Sequence, residues 1–535
     1  MNAYRRLAAT AFALLAIAAL PNGAVAKTAR DSYWWKHVQA LASDDLRGRA
    51  AGTPEHHRAA EYVAGEFRSF GLQPGGDRGY FQTVRLVSRS IDEGSSALLL
   101  STDGSERPIT LGAEAFFQMS AAPPESLIAG LVFAGYGLQA HEAGHDDLRG
   151  LDLQGKIAVF IQGGPSDLRE PLRSHAQSAW VRWAALREAG AIGWISIPNM
   201  RNMDVPWERI SAQRLLPAMV LADSTLDDRR GQRLGILWNP SSAELLFDGT
   251  GTRFADLMAL ADSGRPLPTF PLKATLHARV RYRSRIVESE NVIAVMPGRD
   301  PALRGESIVL SAHLDHLGVG TPVDGDSIMN GALDNAAGVA TLLEVARLAK
   351  KGAWHGRRSL VFLACTAEEK GLLGSRYFSA RPTRAAGALA ADLNVDMLLP
   401  IVPLKRLIVF GIDESNLSAA VATAARRAGV ELQADPEPLK NRFIRSDQYS
   451  FIRAGVPSVA FKCGYLAGSA QESVMTAWLH ARYHAPSDDL AQPVDLAAAD
   501  EFSTLFYEIA RDAADRSEAP RWNDSSFFRR FAVAR

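Results

Sequence analysis

The chain has 535 residues, 47% of them hydrophobic and 22% charged, which is too long for one ordinary compact domain and average for a globular protein. Its 59 basic and 59 acidic side chains cancel, so no charge excess calls for nucleic acid or an anionic membrane as partner. Two cysteines exclude a disulfide framework and a cysteine-type zinc site, which leaves His, Asp and Glu to hold any metal.

Residues 1–26 read as an export signal. Arg5 and Arg6 are followed by an apolar run from Leu7 to Leu20, and Ala24-Val25-Ala26 forms a small-x-small cleavage site. The run is short for a membrane span, so a periplasmic or secreted protein with no stable span after cleavage is expected. A helical stretch follows from Tyr33 to about Phe70, with apolar Ala59, Tyr62, Val63 and Phe67 at helical spacing and a Gly-Pro turn from Gly71 to Gly76. Ala121-Ala122-Pro123-Pro124 reads as a linker. Beyond it Leu131–Gly137, Lys156–Ile161 and Trp194–Ile197 read as strands, with a helix from about Ala176 to Ala189. This region carries no dense cluster of metal-binding residues and looks like an inserted module.

From Asn291 the rhythm becomes strand, loop, helix. Strands are expected at Ile308–Ala312, Leu360–Cys365, Leu393–Val395, Leu407–Phe410 and Val456–Phe461, and a helix at Asn335–Lys350. The fold class is therefore α/β, a mostly parallel mixed sheet sandwiched by helices, with an inserted β-rich module. The expected division gives a discontinuous main domain over 30–124 and 269–520, the module over 125–268 and a C-terminal tail over 521–535.

In such a sheet functional groups collect past the carboxyl ends of the strands. His313 and Asp315 follow one strand, Glu368 and Glu369 another, and Asp396 a third. Asp334 precedes the Asn335 helix, and His484 stands in a later loop. One acid after a strand is usually a helix cap. Five such loops carrying His, Asp or Glu give the donor mix that zinc prefers.

The segments His313-Leu314-Asp315, Gly331–Gly338 around Asp334, Thr366–Ser375 around Glu368-Glu369, Asn394–Met397, Ser446-Asp447-Gln448 and Tyr483-His484 resemble the M28 family of metallopeptidases, the two-zinc aminopeptidase group. The inserted region is similar to a protease-associated domain. The resemblance implies two zinc ions per chain, with cobalt or manganese possible in their place. Asp334 would bridge them, His313 and Asp396 would complete one site, and Glu369 and His484 the other. Glu368 would act as general base on an attacking water, the Asp315 carboxylate would orient the His313 imidazole, and Tyr483 would point its hydroxyl at the scissile carbonyl. Peptides are the implied substrates and release of N-terminal residues the leading activity. A carboxypeptidase or dipeptidase with the same metals is the near alternative, with Arg442 and Arg445 as possible carboxylate anchors. A metal-free binding homologue and a single-zinc transferase acting on N-terminal glutamine are the readings from other classes. Asp447 is expected to support a loop, His316 to be structural, and His56, His57, His141, His145 and His480 to lie on the surface or in loops.

Overall fold

The computed structural model describes residues 32–532, so the expected signal segment lies outside the described residues. Two large sheets organise the chain. The first runs in the order Ala218–Leu221, Phe81–Ile91, Tyr282–Met296, Ser359–Cys365, Glu306–His313, Ala388–Val395, Ser458–Cys463, Arg406–Phe410, Glu431–Gln433, and Gln73–Pro74 adds to Tyr282–Met296. Its main parallel part is the four central strands from Ser359–Cys365 to Ser458–Cys463, flanked by antiparallel pairs. The α/β sandwich expected from the sequence is thus present, with most of the parallel pairing at its centre and one further parallel pair, Arg406–Phe410 with Glu431–Gln433, at its edge.

Central strands buried on both faces need continuous apolar sequence, and Ser359–Cys365 is buried along its whole length. One face is covered by the helix Ala337–Lys351, whose alanines at 337, 340, 346 and 349 let it sit close to the sheet. Trp34 closes over that helix, its indole N–H lying 3.2 Å from the Ala337 carbonyl and 3.0 Å from Thr341 Oγ1. Phe502 and Phe506 of the helix Leu496–Asp515 stack on each other and meet Phe461 edge-on. The opposite face buries Val309, Val361 and Leu363 against Phe378 and Phe451.

The stretch expected as one helix from Tyr33 to Phe70 is two, Tyr33–Leu41 and Pro54–Ser69. The break lies where Arg47, Gly48, Arg49 and Gly52 all take positive φ, and a Cβ at Gly48 would come 2.2 Å from the Met329 carbonyl oxygen. Thr53 then caps the second helix through the His56 amide, with Pro54 at its first position.

The second sheet has the order Ser105–Ile109, Ala97–Thr102, Phe270–Arg279, Ser126–Phe133, Ile157–Ile161, Gly193–Ile197, Leu234–Trp238, Ala115–Phe117. It reaches beyond the expected 125–268 on both sides. Phe270–Arg279 pairs with Ala97–Thr102 and with Ser126–Phe133, so the strands where the chain enters and leaves the module lie side by side. That pairing is non-local and leaves no mark on the residues between. Ala218–Leu221, inside the expected module, returns to the edge of the first sheet. The expected C-terminal tail is also packed where it is described. Trp522, Phe527 and Phe528 are buried, and the Trp522 indole donates to the Gly455 carbonyl at 3.1 Å.

Cys365 and Cys463 are free, on strands separated by two others. Among the described residues no helix is long and apolar enough to cross a membrane.

Candidate metal centre

Parallel strands in register end together, and this gathers the site. His313 pairs with Cys365, so the loop carrying Glu368 and Glu369 starts beside the imidazole. Ser311 pairs with Asn394, which brings Asp396 level with His313. Asp334 enters at the head of the helix Ala337–Lys351, and His484 arrives after the helix Ala470–Arg482. Ala367, Met397 and His484 all take positive φ, the local cost of turning three loops toward one point.

The five side chains meet. His313 Nε2 lies 3.2 Å from Asp334 Oδ1 and 3.2 Å from Asp396 Oδ1. His484 Nε2 lies 3.3 Å from Asp334 Oδ2 and 3.3 Å from Glu369 Oε2. Ligand atoms of His313, Asp334 and Glu369 all fall within 4.8 Å of one another. Asp334 is the shared member, one oxygen facing each histidine.

The charges are strongly coupled. Burial alone would lower the His313 imidazole, but the Asp396 and Glu368 carboxylates outweigh it and hold it well above its usual value. His484 is raised to about 10 in the same way, against burial, by Glu369 and Asp334. Asp334 and Glu369 fall well below the carboxylate range despite burial, pulled down by the imidazoles around them. Glu368 goes the other way: burial pushes it well up, His313 pulls against this, and Asp396 and Glu369 reinforce it.

Asp315 does not act as expected. The His313 Nδ1 partner is the Asp315 main-chain carbonyl, at 3.0 Å. The Asp315 carboxylate accepts instead from the amides of Glu368 at 3.0 Å and Glu369 at 3.4 Å. In a two-residue step after a strand the carbonyl already faces the ring, which frees the side chain for the next loop. Tyr483 packs against His484 with ring centroids 4.0 Å apart, and both line one cavity.

Three groups missed as contributors surround the cluster. His316, expected to be structural, is fully buried with Nδ1 2.7 Å from Glu369 Oε1. Asp488 takes the Leu333 amide at 2.9 Å and the Asp334 amide at 3.0 Å, fixing the backbone that aims Asp334. Arg49 is fully buried and donates to the carbonyls of Leu41, Leu314, Asn330 and Gly331. Gly331 is required by the same packing, because a Cβ there would stand 2.5 Å from the His316 ring. Of the histidines expected on the surface, His56 is fully buried, facing Ser289 and Glu290. Asp447 is buried too, with neither carboxylate oxygen hydrogen-bonded.

The donor set fits a bound cation. Asp334 Oδ2, Glu369 Oε1 and both ring nitrogens of His316 are buried without a well-directed hydrogen bond, Asp334 Oδ2 facing His484 and Glu369 Oε1 facing His316 only as ion pairs. Buried polar atoms are normally paired, and three carboxylates converging on two imidazoles repel unless positive charge sits between them.

Comparison with known proteins places this arrangement. Residues 291–510 match the model of peptidase family M28. Aminopeptidase NAALADL1 of Mus musculus is 32% identical over 137 residues, 25% of this chain and 17% of that protein. The probable leucine aminopeptidase 2 of Aspergillus oryzae is 27% identical over 256 residues, 45% of this chain and 48% of its own. The chain thus spans only a part of the curated relatives it matches, 17% and 14% of the first two. An aminopeptidase structure from Aneurinibacillus sp. strain AM-1 shares the fold, with TM-score 0.52 at 20% identity over 90% of this chain and 93% of that one. Residues 291–510, which carry all five converging side chains, belong to peptidase family M28.

Proposed function

We propose that the chain is an exported exopeptidase that uses two zinc ions and releases N-terminal residues from peptides. The observation that carries the reading is the meeting of His313, Asp334, Glu369, Asp396 and His484 within ion-pair distance of one another, with Asp334 shared between the two histidines. His313, Asp396 and Asp334 Oδ1 would hold one ion, and Glu369, His484 and Asp334 Oδ2 the other. Bound zinc, or cobalt or manganese in its place, polarises a carbonyl and lowers the pKa of a water to about 7.

The protein's own groups do the rest. Glu368 stands beside Glu369 with its amide pinned by Asp315; with cations held by the neighbouring acids its carboxylate would lose the proton that burial favours, take one from the attacking water and return it to the leaving amine nitrogen. Burial holds the Tyr483 phenol well above its usual value, so it keeps the proton it donates to the developing oxyanion. Arg209 of the second module donates to the Tyr483 and His480 carbonyls at 2.8 Å each, which steadies that segment. Export rests on the reading of residues 1–26.

The choice of the N-terminal residue follows the relatives named aminopeptidases. Hydrolysis of aminoacyl anilides set against N-blocked dipeptides tests it. Cleavage of the anilides alone is expected, and cleavage of the blocked dipeptides alone would turn the assignment to a carboxypeptidase.

A further inference from the structure

A second feature stands in the wall between the two modules. Arg182, on the helix Ala179–Glu188, is 6% exposed, and its Nε and Nη2 are buried with no hydrogen-bond partner. Burying an unpaired guanidinium is costly, so its retention needs a reason. Its face lies 4.4 Å from the Phe160 ring, and Arg229 lies 4.4 Å over the Trp194 ring. Those two rings are in edge contact, 5.6 Å apart, so the arginines form a cationic pair on one aromatic platform. Stacking engages the faces of the guanidinium groups and leaves the Arg182 Nε and Nη2 edge free, the geometry that meets a carboxylate, while Arg229 Nη1 donates to Gln232 Oε1 at 3.3 Å.

Nearby acids are already engaged. Asp147 accepts from the amides of Tyr136 and Leu138, and Asp228 is held by both terminal nitrogens of Arg453. Burial lowers Arg182 only to about 9, so it stays charged at neutral pH. Arg182 and Arg229 line a cavity of about 440 Å³ whose wall also contains Tyr483 and His484. Lys440 and Arg445 add two more cations to that wall, and its one carboxylate, Asp204, already contacts both of these.

We infer that this cavity is a carboxylate subsite. Arg182, with Arg229 beside it, takes a carboxylate carried by the peptide beyond the bond cleaved at His484 and Tyr483, an inference that rests on the peptidase reading above. The carboxylate is either the C-terminus of a short peptide or an Asp or Glu side chain.

The test compares kcat/KM of the wild-type protein on trialanine and its C-terminal amide, and on amidated peptides with Asp or Asn at the third position. Hydrogen bonds to a charged group predict a preference of about tenfold or more for the acid in one pair. The pair that shows it identifies the source, and in Arg182→Gln the ratio should fall to within about twofold of unity. Equal rates within both wild-type pairs, or a ratio retained in Arg182→Gln, would overturn the subsite. Should the variant not fold, the wild-type ratios still decide. If no peptide is hydrolysed, the peptidase reading fails by itself. Calorimetric titration with the same peptides then tests the subsite: about tenfold tighter binding of an acid form upholds it, and equal or absent binding rejects it.

Discussion

His316 shows how a side chain outside the proposed ligand set can still govern it. Its Nδ1 lies 2.7 Å from Glu369 Oε1 and 3.9 Å from Asp334 Oδ2, and its Nε2 is buried with no hydrogen-bond partner. Groups that back a metal ligand typically change affinity by about 10–100-fold when removed. His316→Ala is therefore expected to lose zinc to a chelator at about 10–100-fold lower chelator activity than the wild type, and identical retention would deny the residue any part in the centre. The sequence pattern made the five converging residues legible because each stands in a loop of its own and its residue type is chemically restrictive. It left the role of Asp315 misassigned and the partner of His316 unnamed for a physical reason. Spacing tells which loop a residue occupies, whereas the choice between carbonyl and carboxylate at Asp315, and the direction of the His316 ring, depend on backbone torsion and neighbouring loops.

Between the helices Tyr33–Leu41 and Pro54–Ser69 the chain makes a tight turn that puts Arg49 among four carbonyls, two of them on the Asn330-Gly331 approach to Asp334. Each carbonyl left unpaired in the interior costs about 1–3 kcal/mol. Arg49→Met should thus lower unfolding stability by at least about 3 kcal/mol, read from denaturant titration, and a loss below about 1 kcal/mol would contradict the role given to that turn. The apolar strands and the helix Ala337–Lys351 were readable from periodicity because burial on one or both faces dictates their composition. The helix break was not, since apolar residues recur at helical spacing on either side, Trp34, Val38 and Leu41 before it and Ala59, Val63 and Phe67 after it. Nor was the extent of the second sheet, because the pairing of Phe270–Arg279 with Ala97–Thr102 joins residues far apart in the chain.

Near the cavity a buried carboxylate joins the Arg209 contacts in tying the two modules together. Asp204 of the second module contacts Lys440 at 2.8 Å, Arg442 at 3.2 Å and Arg445 at 3.3 Å, and it is almost fully buried. Burial would raise this acid, but Arg442 and Arg445 outweigh it and hold it far below the usual range. A depressed folded-state value means the clamp stabilises the fold above the ordinary aspartate value of about 3.9 and survives as pH falls through it. Limited proteolysis across the module contact should therefore proceed alike at pH 7 and at about pH 4.5. Asp204→Asn, which leaves Glu437 alone to offset Lys440, Arg442 and Arg445, should be cut faster at neutral pH, and equal resistance would show that the modules are held by other contacts.

The same whole-molecule view makes metal content the decisive quantity, because the purified chain either carries the cations that its converging carboxylates call for or it does not. Zinc per chain should be measured for the wild type, for Glu368→Gln and for Asp334→Ala. The account predicts two ions in the wild type, two in Glu368→Gln with turnover lower by about 10²–10⁴, and at most one in Asp334→Ala. A wild-type protein that folds and hydrolyses peptides without bound metal, or an Asp334→Ala protein that still holds two ions, would contradict it.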